Sequence, residues 1–378
     1  VDDMNSSQDS RGGVPNIVPG LRGGVGSPVW AMAYVLIPWD VYLHYNDRRI
    51  IEDNYADIKR LVDFITKTYA KDYIITHGHH DIGQPSPDKR SPDGNLPRGL
   101  VHTPYYYQVV KILSGMADIL GKDSDKLTYR KLAENIKTAY NNEFYDRANK
   151  TYSDTHQTAN ALALAFNLTD DPQAVAQSLK GVVDYKDGHY NTGIFGERIL
   201  YAMLCDYGYE QTAYTMLTKT SFPSYNYFID NGVTTWMERP YESDFGQKKS
   251  GSHQEHVGFD AWFYYGILGI NRPSKDAPGY KEIVFKPQLT KQLTSASGSH
   301  RSPHGKISSS WTANKDFVWD ITVPFNTTAT VYVPAVSASK VTETGRGGVT
   351  YLGMDGNYAK YSVESGNYHF VSKAYKAR

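Results

Sequence analysis

Three stretches and one isolated histidine carry side chains able to move protons or hold a polar ligand. In "GVTTWMERP", Gly232 to Pro240, one carboxylate, Glu238, follows β-branched residues and stands between Trp236 and Arg239. Carboxylates are rarely buried without a partner, so this one needs either a purpose or a counter-ion. Trp236 can desolvate it and raise its pKa. Arg239 can hold it ionised or bind substrate, and a plain structural ion pair or a helix-start carboxylate accounts for the phrase equally well. "THGHHD", Thr76 to Asp81, places three histidines and an aspartate in one loop. Such groups ligate metals, donate to sugar hydroxyls, or simply form a solvated loop. Their spacing matches no standard zinc signature, so no metal and no cofactor is expected. "SGSHQEH", Ser250 to His256, precedes the apolar run "FDAWFYYGILGI". His253, Glu255 and His256 there can cap that run or face a cleft. His304, in "SPHGKISSSW", reads as a turn residue.

The chemistry these residues suit is narrow. The chain has no Gly-rich phosphate loop ending in Lys-Ser/Thr, no Gly-x-Ser-x-Gly elbow and no paired Cys-x-x-Cys site. What remains is carboxylates, histidines and aromatics, the equipment for breaking glycosidic bonds, where one carboxyl donates a proton and another acts as base or nucleophile. The 31 tyrosines and six tryptophans are the compositional anomaly. Aromatic faces stack on sugars, and tyrosine also packs between helices. Lys+Arg and Asp+Glu are both 40, a balance that argues against a nucleic-acid partner. No apolar run reaches membrane-spanning length. Cys205 is the only cysteine, which excludes an internal disulfide. Three Asn-x-Thr triplets, at Asn149, Asn167 and Asn326, fit the glycosylation pattern. An extracellular or periplasmic setting is expected over a cytoplasmic one. The polar, turn-rich opening "VDDMNSSQDSRGG" is no signal peptide and suggests a fragment, or a chain whose upstream part was removed.

Such residues must be positioned by helices and loops. "IIEDNYADIKRLVDFITKTYA" carries Ile51, Ile58, Leu61, Val62 and Ile65 on one helical face. "TPYYYQVVKILSGMADILG" is expected to start at Thr103-Pro104 and stop at Gly121. The next helix, "SDKLTYRKLAENIKTAYNNEFYD", has Ser124 or Asp125 as N-cap. "HQTANALALAFNL", "DPQAVAQSLKGVV", "GIFGERILYAMLCDYG", "YEQTAYTMLTKT" and "FDAWFYYGILGI" complete the series. Helix pairs separated by loops rich in Gly, Pro, Asp and His predict an α/α toroid. After the breakers Pro273 and Pro278-Gly279 the pattern changes to short alternating runs, "KEIVFKP", "GKISSSW", "DFVWDITVP", "TATVYVP" and "KYSVESGNYHFV", which predict an antiparallel sandwich. The expected fold is mainly α: an α/α toroid over residues 1–270, followed by a C-terminal antiparallel β-sandwich over 271–378.

These phrases, together with "GGVPNIVPG", "VWAMAYVLIPWDVYLHYNDRRIIEDNY", "NTGIFGERILYAML", "SFPSYNYFIDNGVTTWMERP", "APGYKEIVFKP" and "VPFNTTATVYVP", occur in an order that resembles the α-L-rhamnosidases of glycoside hydrolase family 78 along nearly the whole chain. The resemblance implies an (α/α)6 barrel, a following β-sandwich, and hydrolysis of terminal α-L-rhamnose with inversion. It makes the substrate a rhamnosylated glycan of plant or microbial origin. "TTWMERP" looks like the family's Thr-Thr-x-Trp-Glu-Arg segment, which would make Glu238 the general base and Trp236 and Arg239 part of the sugar pocket. Asp81 falls where the family has the aspartate of Gly-Asp-Trp, with His80 and Ile82 in place of its neighbours. Ser252-His253 stands for Asn-His. Trp30 opens "WAMA", the counterpart of Trp-Gly-Asp-Ala, with Met32 at the acidic position. His304 lies in the sandwich segment that in some members sends a histidine to the sugar. The resemblance thus implies substrate binding by Asp81, His80, Trp236, Arg239, His253, His304 and Trp30. The family's acid phrase, Arg-Asp-Glu-Arg-Leu-Gly-Trp, is absent, and an upstream segment of the same protein is the expected supplier. Two rivals remain: a lyase cleaving rhamnosyl–uronate links by β-elimination, motivated by the histidine loops, and a carbohydrate-binding relative without activity.

Overall fold

The computed structural model describes residues 1–19, 27–82, 95–238, 251–345 and 348–375. Its helices run in the order α1 (Asp2–Ser6), α2 (Pro28–Ala31), α3 (Ala33–Tyr45), α4 (Arg49–Tyr69), α5 (Arg98–Ile119), α6 (Asp123–Phe144), α7 (Gln157–Ala165), α8 (Pro172–Tyr185), α9 (Ile194–Asp206), α10 (Glu210–Leu217) and α11 (Tyr225–Asp230). A two-residue hairpin, β1 (Ala70–Lys71) with β2 (Ile74–Ile75), separates α4 from α5. The chain divides into two compact units. One holds residues 1–40, 48–207 and 215–258; the other holds 41–47, 208–214 and 259–378.

In the first unit, burial alternates from helix to helix. In α4, α6 and α8 one stripe is buried: Ile51, Ile58, Leu61, Val62 and Ile65 on α4, Tyr129, Ala133, Ile136 and Tyr140 on α6, Val175, Leu179 and Val183 on α8. Helices α5, α7 and α9 are buried nearly all round. A helix with one apolar stripe faces solvent, whereas one that is apolar on every side must be enclosed. The alternation is therefore an outer ring and an inner ring of helical hairpins, with α5 packed on α6 and α7 packed on both α8 and α9. Tyrosine hydroxyls tie the ring together: Tyr55 donates to Asp125 at 2.8 Å, Tyr129 to Asp63 at 2.6 Å and Tyr106 to Thr66 at 3.0 Å.

Three local expectations are corrected. Helix α5 begins at Arg98, before Thr103-Pro104, because Thr103 is enclosed and its Oγ1 accepts the Ile75 N–H, a role inside the fold. Helix α6 begins at Asp123, with Lys122 at the cap position. The run "FDAWFYYGILGI" is not one α-helix: a 3-10 segment spans Gln254–Asp260 and a single π turn spans Phe263–Ile267. Trp262 explains the irregularity. Its indole Nε1 donates to Gln288 at 2.7 Å and lies so close to Gly266 that any Cβ there would sit at 1.9 Å.

The second unit is built on two sheets. Strands β3 (Glu282–Phe285), β7 (Thr328–Pro334), β10 (Tyr358–Val363) and β9 (Val349–Asp355) form one; β4 (Ser295–Ser302), β5 (Gly305–Ala313), β6 (Asp316–Val323), β11 (Gly366–Lys373) and β8 (Val341–Glu343) form the other. All pairs are antiparallel except β3 with β7, which is parallel. Inward residues of both sheets, Phe285, Val331, Val333, Phe317, Trp319, Ile321 and Phe370 among them, make one core. Trp319 donates to Ser309 at 2.9 Å, and Ser309 donates to the Leu268 carbonyl at 2.6 Å, so the indole is buried without an unmet N–H. Phe317 packs against both Trp311 and Trp319. Phe317→Ala is expected to lower the stability of this unit by about 3–5 kcal/mol, the usual cost of removing a buried ring. Chemical denaturation measures it, and an unchanged midpoint would contradict the core described.

Candidate active site

The loops that carry the sequence candidates meet at the start of α9. That helix opens with Gly193 at the cap position, and its first N–H groups need acceptors. A remote segment supplies them. The Asp81 carboxylate accepts from Gly193 N at 2.8 Å, from Phe195 N at 3.0 Å and from the Thr158 hydroxyl, while Ile82 O accepts from Ile194 N at 2.9 Å. The approach is so close that a Cβ on Gly193 would lie 2.2 Å from Ile82 O. Burial pushes the Asp81 carboxyl up, against the lowering pull of its three donors. Asp81, the residue the resemblance places at the sugar, thus has both carboxylate oxygens engaged by α7 and the start of α9.

One turn into α9, Glu197 is fully buried, and so is His256. Glu197 Oε2 lies 2.5 Å from His256 Nδ1, and the Tyr225 hydroxyl donates to Glu197 Oε1. Tyr225 is brought there by α11, whose cap residue Ser224 accepts the Tyr227 N–H. Desolvation pushes Glu197 up, with His256 pulling the other way. For His256, burial pushes down, but the charge and hydrogen bond of Glu197 prevail, and its pKa lies above the ordinary value.

Glu238 is half-buried, and among the described residues its carboxylate has no hydrogen-bond or ion-pair partner. Its backbone is held. Bonds between described residues join its loop to the histidine loop: His256 Nε2 to the Glu238 carbonyl at 3.1 Å, His253 N to the Trp236 carbonyl at 2.6 Å, and the Thr235 hydroxyl to the Gly251 carbonyl at 2.7 Å. Trp236 packs its ring on Tyr225, centroid to centroid 4.6 Å, and on Phe228 at 5.3 Å. Its Nε1 is buried with no acceptor among the described residues. The His253 ring lies 5.9 Å from that of His256, with Nε2 3.5 Å from Glu255.

A second cluster gathers around the "THGHHD" loop. Arg98 donates to His80 Nε2 at 2.9 Å, and Thr76, His77, Gly78, His79 and Arg98 line a cavity of about 360 Å³. Trp30 stands between His79 and Phe195, at 6.0 and 5.2 Å. Among the described residues no three His, Cys, Asp or Glu side chains converge as metal ligands. His304 sits in the β4–β5 turn of the second unit, its N–H donated to Ser302. Arg239 lies outside the described residues. Glu197 and Tyr225 escaped the sequence reading, although the argument applied to Glu238 finds Glu197 too: a carboxylate in "GIFGERILYAMLC" has no polar face to occupy.

Outer and inner helices in hairpins, carrying a half-buried carboxylate that is unpaired among the described residues, are the architecture of a toroid glycosidase domain. A family model described as bacterial alpha-L-rhamnosidase 6 hairpin glycosidase domain matches residues 1–267, and one described as bacterial alpha-L-rhamnosidase C-terminal domain matches residues 269–348. The chain belongs to the bacterial alpha-L-rhamnosidase family. It is 32% identical to an alpha-L-rhamnosidase of Alteromonas sp. strain LOR, covering 89% of this chain and 38% of the relative. Among solved structures it is similar to Streptomyces avermitilis alpha-L-rhamnosidase complexed with L-rhamnose, with a TM-score of 0.88, 29% identity, and coverage of 98% of this chain and 36% of that one. The alpha-L-rhamnosidase from Dictyoglumus thermophilum also superposes with a TM-score of 0.88, at 30% identity, over 98% of this chain and 43% of that one. The chain spans under two-fifths of the length of the curated relatives it matches. Its architecture is theirs, an α/α toroid with a β-sandwich.

Asp81→Asn puts an amide NH2 where donors converge, and is expected to cost about 1–3 kcal/mol of stability, the penalty for unmet buried donors. Thermal or chemical unfolding measures this. Unchanged stability together with weakened sugar binding would return Asp81 to the sugar site.

Proposed function

We propose that this chain carries the base half of an inverting α-L-rhamnosidase, which releases terminal α-L-rhamnose from a plant or microbial glycan. The observation that carries the reading is the Glu238 carboxylate, unpaired among the described residues and half-buried, on a loop hydrogen-bonded to the histidine loop through residues 235, 236 and 238. Glu238 takes a proton from a water placed opposite the leaving group, and a carboxylic acid elsewhere protonates the departing oxygen. No residue of this chain is assigned that second role. Trp236 walls the water from bulk solvent and offers its indole N–H to a sugar oxygen. His253, His80, Arg239 and Trp30 are assigned to sugar hydroxyls and faces. Rhamnose is the sugar named with the relatives, and this supports it here. Among the described residues no helix is long and apolar enough to cross a membrane. A polymeric glycan substrate favours an extracellular or periplasmic setting.

Glu238→Gln keeps shape and removes the base. It is expected to lower kcat for rhamnose release by about 10²–10⁴-fold, the range of general acid–base catalysis, with a melting temperature close to the wild-type value. Activity equal to wild type would remove Glu238 from the reaction. One observation favours a second reading: the Arg98 and histidine cavity suits a carboxylate, as β-elimination at a uronate requires. An unsaturated product absorbing in the ultraviolet identifies that reaction, and binding of rhamnosylated oligosaccharide with no turnover identifies a non-catalytic relative.

A further inference from the structure

The buried pair behind the base loop has a proton requirement that follows from its contacts. His256 Nε2 faces the Glu238 carbonyl at 3.1 Å, and a carbonyl oxygen only accepts. Nε2 must therefore carry a hydrogen. On the other side, the 2.5 Å contact between Nδ1 and Glu197 Oε2 needs a second hydrogen. A neutral imidazole has only one N–H. Both contacts coexist only while Glu197 and His256 together hold one further proton, whichever of the two atoms it is nearer.

Every neighbouring group bears on that proton. Tyr225 from α11 donates to Glu197 Oε1, and its hydroxyl lies 3.0 Å from the His256 carbonyl. Tyr201 on α9 and Tyr190, whose ring stacks on Tyr225, complete the phenolic wall, and burial pushes the Tyr201 and Tyr225 phenols well up, so they stay neutral. The Asp81 charge favours keeping the proton on His256. His253 and Glu255, on the same segment as His256, sit at its more exposed end. Losing the proton would leave an uncompensated buried negative charge, which is costly.

We propose that Glu197 and His256 are a proton-holding positioning pair: while it keeps its proton, the pair grips the Glu238 carbonyl and so aims the Glu238 carboxylate, and when the proton leaves, the grip is lost. The proposal rests on Glu238 being the base. Glu197 and His256 touch no substrate in this arrangement; they act through the backbone of Glu238. An imidazole ordinarily titrates near about 6.5. Burial opposes the charged ring, yet Glu197 raises His256 overall, and desolvation raises Glu197. Both directions delay loss of the proton, so the grip persists to higher pH than a free imidazole would allow and is lost as pH rises further. Linkage gives stability the same sign: the pair's contribution is complete below the unfolded imidazole value and disappears as pH rises through the higher folded one.

The test compares His256→Phe, which fills the space and makes neither contact, with His256→Gln, whose amide offers an N–H near the Nε2 position and does not titrate. The phenylalanine variant is expected to lose about 10²-fold in kcat, the scale of a misplacement of about 1 Å, with KM little changed. The glutamine variant is expected to recover at least about tenfold of that and to lack the alkaline limb of the wild-type kcat profile. Two readouts need no activity. Deuterium exchange in residues 231–238 is expected to quicken in His256→Phe, and wild type is expected to show two protected downfield ring-proton resonances at neutral pH that vanish in that variant. If wild type releases no rhamnose, the function proposed above fails, and the exchange and resonance data alone decide the positioning pair. Wild-type exchange in His256→Phe, or a single protected ring proton, would overturn it, as would a phenylalanine variant with wild-type kcat and alkaline limb.

Discussion

The need to satisfy buried carboxylates organises the helical unit. Asp81 is enclosed and must be met by donors; it finds them at the N-terminus of α9, where N–H groups lack partners by construction. That bond set fixes where α9 starts. The start fixes the side on which Glu197 emerges one turn later, and Glu197, equally enclosed, draws in His256 and Tyr225. His256 then reaches the backbone of Glu238. Each link exists because the previous one left a buried polar group to be matched, so an aspartate from the first histidine loop governs the placement of a carboxylate more than 150 residues later in the chain.

Tyrosine serves two purposes in this framework. Tyr55, Tyr106 and Tyr129 span helices, each with its hydroxyl on a carboxylate or threonine of a neighbouring helix. A phenol suits this position because its ring fills the interior while its polar end is satisfied at the rim. Tyr190 instead stacks on Tyr225, and Trp236 of the Glu238 loop packs against Tyr225 and edge-on to Phe228. The aromatic excess therefore reflects helix packing as well as the ring cluster around Trp236, and composition cannot apportion the two.

Much of the architecture was legible. The stripe on α4 and the runs of α7, α8 and α9 appear where periodicity placed them, because helices with strong apolar patterns fold the same way in any enclosing environment. The misreadings have local causes. Strand β4, "SASGSHRS", has no apolar alternation; it forms because β5 offers it a hydrogen-bonding edge, with Gly298 leaving room for Leu268. The run "FDAWFYYGILGI" looked helical, yet Trp262 and its bond to Gln288 bend it into 3-10 and π turns. Strand β3 joins in parallel, an orientation that no residue within "KEIVF" encodes.

At the site, residue types and their local setting singled out Glu238, Trp236 and the histidine loops, since a carboxylate among apolar residues is conspicuous in one dimension. Sequence also determined the order of helical and stranded segments through their periods. Tertiary structure alone decided that Asp81 caps a helix, that Glu197 pairs with His256, and that the pair holds Glu238 by its backbone. Hydrogen bonds of this kind join groups separated by dozens of residues and depend on distances of a few tenths of an ångström, and neither spacing nor composition carries that information.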